Sequence, residues 1–183
     1  MEKKKNYNKF KGLYSSEAWD YETPDNFFNV LNRIFLFSLD VAANEENKKL
    51  DNYYSPEDNA LVQSWETDSK WWMNPPWGRA YTKKTGYKIS DWISKALEEY
   101  EKGNEGVAIV SARTDTKWWH DYVAHAPYIW FPRGRVAFLR EGTVKTQPNF
   151  PSACPIFVKE LSEVQITCLR IKGMLVKTVE NFI

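Results

Sequence analysis

The chain has 183 residues, 43% hydrophobic and 27% charged, enough for one domain with a buried core. A formal net charge of +1 excludes binding to a polyanion through overall charge, so any nucleic-acid contact must come from local patches. Cys154 and Cys168, with two histidines and no C-x-x-C spacing, offer neither a disulfide framework nor a metal site, and no apolar run approaches a membrane span. A soluble, reduced, cytoplasmic protein without metal is the expectation.

Residues 1–18 are polar and carry Lys3, Lys4, Lys5, Lys9 and Lys11, which predicts a basic, flexible tail ahead of a single domain over 19–183. Thr23 is placed to cap, and Pro24 to open, a helix over 24–35 in which Phe27, Leu31, Ile34 and Phe35 recur at helical spacing. A strand over 36–43 follows, with Asp40 near its carboxyl end and Asn44 and Asn47 just beyond. Ligands of doubly wound sheets bind outside such strand ends. Residues 45–70 are turn-rich, with a short strand at Tyr53-Tyr54.

Trp71, Trp72 and Met73 then form a buried strand that stops at Asn74-Pro75-Pro76-Trp77. Two prolines in a row remove two backbone donors and fix φ, so the strand ends in a stiff corner. That corner sets an amide oxygen beside a large aromatic face, a pairing suited to a planar ligand that carries an amino group. Residues 78–88 read as a loop bearing Arg79, Lys83, Lys84 and Lys88.

Ser90 is expected to cap a helix over 91–101 that ends at Gly103. The apolar run 107–110 predicts a strand ending at Arg113-Thr114-Asp115, where Thr114 or Asp115 would cap a helix carrying Trp118 and Trp119. Runs 128–131 and 136–139 read as a hairpin around Pro132-Arg133-Gly134-Arg135, and 156–158 as another strand. In 161–183 the alternation of Val164, Ile166 and Cys168 predicts one or two added strands. The order of elements indicates an α/β fold with a mostly parallel sheet and antiparallel strands near the C-terminal end.

Seven blocks carry a family resemblance: SSEAWDYETP, FSLDVAANEENKK, the Tyr-Tyr loop ending in QSW, WWMNPPWGR, SARTDTKWWHD, FPRGRVAF and FPSACPIFV. In this order, over about residues 15–158, they resemble the DNA N-6-adenine methyltransferases of bacteriophages and prophages. The resemblance implies a class I methyltransferase (Rossmann-like) three-layer fold, S-adenosyl-L-methionine as cofactor, DNA as partner and adenine N6 as the methyl acceptor. Carried onto this chain, it implies cofactor contacts from Trp19, Thr23, Pro24, Asp40, Ala42, Asn44, Asn47, Asp58 and Asn74, and catalysis at Asn74, Pro75, Pro76 and Trp77. It places Arg113, Thr114 and Asp115 near the site. The family usually has Tyr where this chain has Trp77, Cys at Ala42, and Asp-Gly-Leu at Asn59-Ala60-Leu61.

On this reading the Asn74 side-chain oxygen and the Pro75 carbonyl each accept one N6–H of a flipped adenine, and Trp77 stacks on the base. Arg79, Lys83, Lys84, Lys88, Arg113, Arg133 and Arg135 are the cations expected to touch the DNA backbone. Methylation of RNA adenine or of a protein glutamine nitrogen is the alternative within the enzyme class. A DNA-binding protein on a decayed methyltransferase fold is the alternative outside it.

Overall fold

Three short apolar strands side by side form the centre of the molecule, whose computed structural model describes residues 21–76, 78–140, 143–144 and 150–178. The predicted tail and Trp19 lie outside the described residues, as does Trp77. Strand β1 (Phe37–Asp40) pairs in parallel with β2 (Lys70–Met73), and β2 in parallel with β3 (Gly106–Ala108). After a break at Ile109 the chain continues as β4 (Val110–Ser111). β5 (Tyr128–Pro132) belongs to the same sheet, and β6 (Leu139–Arg140) and β7 (Thr143–Val144) form a separate ladder. β8 (Ser152–Phe157) lies antiparallel between β3 and β5, and β9 (Gly173–Lys177) pairs antiparallel with the far side of β5. Since β8 opposes both neighbours, β5 runs in the same direction as β2. The carboxyl ends of β1, β2 and β5 therefore share one edge.

Alternation along β2 divides the core. Trp71 and Met73 face one layer and Trp72 the other, as the two-residue period of a strand requires. Helix α1 (Asp25–Phe35) covers Trp72 with Phe28, whose ring meets the indole edge-on at 5.5 Å. Helix α2 (Arg79–Thr85) follows the corner, and α3 (Ile89–Glu101) covers the opposite face with Trp92, Ile93 and Ala96. The short α4 (Lys117–Asp121) adds Trp119 to that face, while α5 (Glu163–Lys172) returns to the α1 side through Leu169. The result is three layers, helix on sheet on helix.

One charged group lies inside this packing. Glu99, fully buried on α3, accepts from Lys95 Nζ at 2.6 Å, Asn104 Nδ2 at 2.7 Å and the Trp65 backbone N–H at 3.0 Å. Burial pushes its pKa up, but these bonds and one from Lys102 outweigh it and hold the carboxyl at about 2. The paired carboxylate pins α3 to the turn before β2 and to the turn before β3.

Several expectations are corrected. Residues 79–85 form a helix where a loop was expected, with Gly86 at φ +83 ending it. Pro24 is the N-cap of α1 and makes no side-chain cap bond, so Thr23 does not cap it. Ser90 lies inside α3, whose start is secured by Asp91 accepting from the Lys88 N–H at 2.7 Å. Thr116, not Thr114 or Asp115, caps α4. The hairpin about Arg133 does not form: β5 takes β8 and β9 as partners, and Val136 and Phe138 are buried without joining a strand. The start of the C-terminal segment is helical, and only 173–177 are a strand.

Candidate active site

The corner after β2 lies between two strand ends. The Val41 N–H donates to Trp72 O at 3.0 Å and the Ile109 N–H to Met73 O at 2.9 Å, so Asn74 leaves the sheet just past paired backbone on both sides. Pro75 is buried and Pro76 half-buried. Across the corner runs residues 21–24, a strap held by Glu22. Its N–H donates to Leu139 O and its carbonyl accepts from the Leu139 N–H, both at 2.9 Å.

The strap orients the asparagine. Asn74 Nδ2 donates to Tyr21 O at 2.7 Å, which settles which end of the amide is nitrogen. The other end, Oδ1, is buried and receives no hydrogen bond among the described residues. The hydroxyl of Thr23, two residues along the strap, is likewise buried and without a partner. Buried polar atoms are nearly always paired, and an unpaired one costs about 1–3 kcal/mol. Two on adjoining segments mark a place built for a ligand that donates hydrogen bonds.

Asp40 closes the other side. Its buried carboxylate accepts from the Lys49 N–H at 3.1 Å and the Ala42 N–H at 3.3 Å. Burial pushes its pKa up to about 6 against the pull of those two N–H groups and the Lys49 charge. Asn44 and Asn47 are half-buried and fold onto their own turn: Asn44 Oδ1 accepts from the N–H of Glu46 and of Asn47, and Asn47 Oδ1 from the Asn44 N–H. Their oxygens are thus committed to backbone. Asp58 is exposed and accepts from the Ser55 N–H and hydroxyl at 2.8 Å, bonds that hold its carboxyl below the usual range.

The structure brings Thr23, Pro24, Asp40 and Asn74–Pro76 to one sheet edge. Among the expected cations, Lys83, Lys84 and Lys88 are exposed on and after α2, and Arg133 and Arg135 are exposed beyond β5. Arg113 is half-buried, its guanidinium 4.1 Å from the centre of the Phe150 ring. Sequence reasoning missed the Tyr21 carbonyl, because a backbone acceptor leaves no trace in residue type. It also missed Phe150 beneath Arg113. Among the described residues no cluster of His, Cys, Asp and Glu could hold a metal, and no helix is long and apolar enough to cross a membrane.

A largely parallel sheet with antiparallel strands at its end, layered by helices and carrying an Asn-Pro-Pro corner at its carboxyl edge, defines a class I methyltransferase-like protein. The profile of the DNA N-6-adenine-methyltransferase (Dam) family matches residues 13–178. The chain belongs to that family. It is 34% identical to the DNA N-6-adenine-methyltransferase of Haemophilus phage HP1 (strain HP1c1) over 67 residues, 37% of this chain and 35% of that protein. It is 44% identical to the protein of the same name from Escherichia phage T1 over 43 residues, 24% of this chain and 18% of the other. The matched stretches thus span about a third and a fifth of these relatives.

Proposed function

We propose that this protein methylates the N6 amino group of adenine in DNA, with S-adenosyl-L-methionine as the methyl donor. The observation that carries the reading is the Asn74 side chain, its nitrogen tied to Tyr21 O and its buried oxygen left as an acceptor. The donor set fits the cofactor: Thr23 offers a hydroxyl, Asp40 an acid that ionises near neutrality, and Asn44 and Asn47 their amide nitrogens. Bound there, the cofactor supplies an electrophilic methyl group.

The protein's part is placement. Adenine N6 is a weak nucleophile because its lone pair is delocalised into the ring. Asn74 Oδ1 accepts one N6–H and the Pro75 carbonyl the other, which directs the lone pair toward the remaining direction. Orientation of this kind is worth up to ~7–11 kcal/mol. Asparagine carries no charge, so it acts as an acceptor and the released proton passes to water. A stacked base is out of reach, so the adenine is extruded or already unpaired, and Trp77, next in sequence after Pro76, replaces part of the lost stacking with ~1–3 kcal/mol. Lys83, Lys84 and Lys88 hold phosphates near the corner.

Treated DNA digested to nucleosides tests the reading directly. N6-methyladenine should form with wild-type protein and vanish with Asn74→Ala. Label transferred to RNA or to a protein glutamine, with none in DNA, would overturn it.

A further inference from the structure

Beyond the strap that crosses the corner, a groove of about 570 Å³ opens between the start of α1 and the segment after β5. Its lining combines Arg133, Arg135 and Lys172 with the apolar surfaces of Phe27, Val30 and Ala137. We propose that this groove binds one nucleotide of the DNA strand next to the target adenine, with its phosphate on Arg133 and Lys172 and its sugar and base on the apolar floor. The proposal rests on the methyltransferase reading and names where the substrate strand continues.

Charge supports it first. The one acid that lines the groove, Asp25, pairs with Lys49 at 2.6 Å, and Lys49 lies outside the lining. The groove is therefore cationic without internal compensation. Backbone bonding fixes the cations near each other: the Arg133 N–H donates to Lys172 O at 2.9 Å, joining the exit of β5 to the end of α5. Gly134, at φ +84, makes the turn that returns the chain toward Arg135.

Position supports it second. Pro24 and Leu139 both line the groove, and both belong to the strap contact that reaches the corner: Leu139 holds Glu22, and Tyr21 holds Asn74. Three residues of extended chain from Tyr21 to Pro24 span at most about 10 Å. With ~3.4 Å between successive nucleotides along a strand axis, this is the distance of a near neighbour of the target. The apolar floor explains why a nucleotide fits better than inorganic phosphate, since an aromatic or aliphatic surface is of no use to an anion alone.

The test measures binding of a single-stranded adenine-containing oligonucleotide against salt concentration, for wild type and for the double variant Arg133→Gln, Lys172→Gln. Each lost phosphate contact flattens the plot of log K against log salt by about 0.7. A slope shallower by about 1.4, with S-adenosyl-L-methionine binding and melting temperature unchanged, supports the groove. An unchanged slope in a variant that folds and binds cofactor overturns it, while adenine methylation by wild type would still stand. Should the double variant melt early, Lys172→Gln alone should flatten the slope by about half as much, and no flattening there is equally fatal. Wild type that binds oligonucleotide with the expected slope change but forms no N6-methyladenine would support the groove and sink the enzyme reading.

Discussion

Asn74 and Tyr21 stand 53 positions apart and meet through one hydrogen bond of 2.7 Å, from a side-chain amide to a backbone carbonyl. The bond removes the choice between the two amide orientations, which differ in whether an acceptor or a donor points into the site. Asn74→Ala removes the acceptor and also strands the Tyr21 carbonyl. A fall of at least about 100-fold in kcat/KM for DNA is expected, near 2.7 kcal/mol of barrier, with a stability loss of about 1–2 kcal/mol. Asn74→Asp keeps an acceptor but turns a carboxylate toward the Tyr21 carbonyl, so it should not restore the rate. Kinetics of Asn74→Asp within tenfold of wild type would show that amide orientation is unimportant.

Thr23 separates fold from function in the opposite sense. Its hydroxyl is buried without a partner, so Thr23→Val removes an unsatisfied group while keeping the branched shape. A gain of about 1 kcal/mol in urea unfolding is expected. Cofactor affinity by titration calorimetry should fall at least about fivefold, roughly 1 kcal/mol. Equal affinity would remove Thr23 from the cofactor site.

Stability should pass through a maximum on the acid side of neutrality. Asp40 has its pKa raised from 3.8 to about 6, so the folded state holds its proton more tightly. Its contribution is complete below pH 3.8 and is lost as pH rises through 6, on the order of 3 kcal/mol. Glu99 has its pKa lowered from 4.5 to about 2, so its contribution is present above 4.5 and is lost as pH falls toward 2. Unfolding free energies in urea should therefore be higher at about pH 5 than at about pH 7.5, and Asp40→Asn should flatten that upper limb. A wild-type profile that climbs from pH 5 to 7.5 contradicts the buried state of Asp40.

Gly106 is fixed by contact. A Cβ there would lie 2.0 Å from Cδ2 of Trp71. That indole is fully buried and tethered by its Nε1–H to Asn104 O at 2.9 Å, so it has no room to swing. Gly106→Ala should cost about 3 kcal/mol, at the upper end of overpacking penalties, as a lower urea midpoint with unchanged slope. A loss below about 1 kcal/mol would mean the β2–β3 pairing can shift to make space.

Much of the sheet edge was legible because its signals are local. Phe28, Leu31 and Phe35 carry helical spacing without competition, and a Pro-Pro pair can only end a strand. Legibility failed where two local signals disagreed or none existed. Alternation of Val164, Ile166 and Cys168 reads as a strand, yet Ser162 and Gln165 form a capping box that starts a helix, with Ser162 Oγ accepting the Gln165 N–H at 3.3 Å. The box was the better signal. Residues 79–85 have no apolar periodicity to announce a helix. Val136 and Phe138 are apolar because they plug the α1 face, a tertiary role that sequence alternation imitates. Nothing local marks Tyr21, whose contribution is a main-chain oxygen.

The place of β8 has a consequence for how the chain reaches this state. Residues 152–157 supply the strand that joins β3 to β5, so the sheet stays in two parts until the chain has been made well past its middle. Closure depends on pairings such as Val107 with Ile156, distant in sequence, and such contacts slow folding. Until then both β3 and β5 present open edges, the kind of surface on which partly made chains associate. The last third of the sequence is thus a keystone in time as well as in space, and a nascent chain stalled before Ser152 would be a client for chaperones rather than a smaller enzyme.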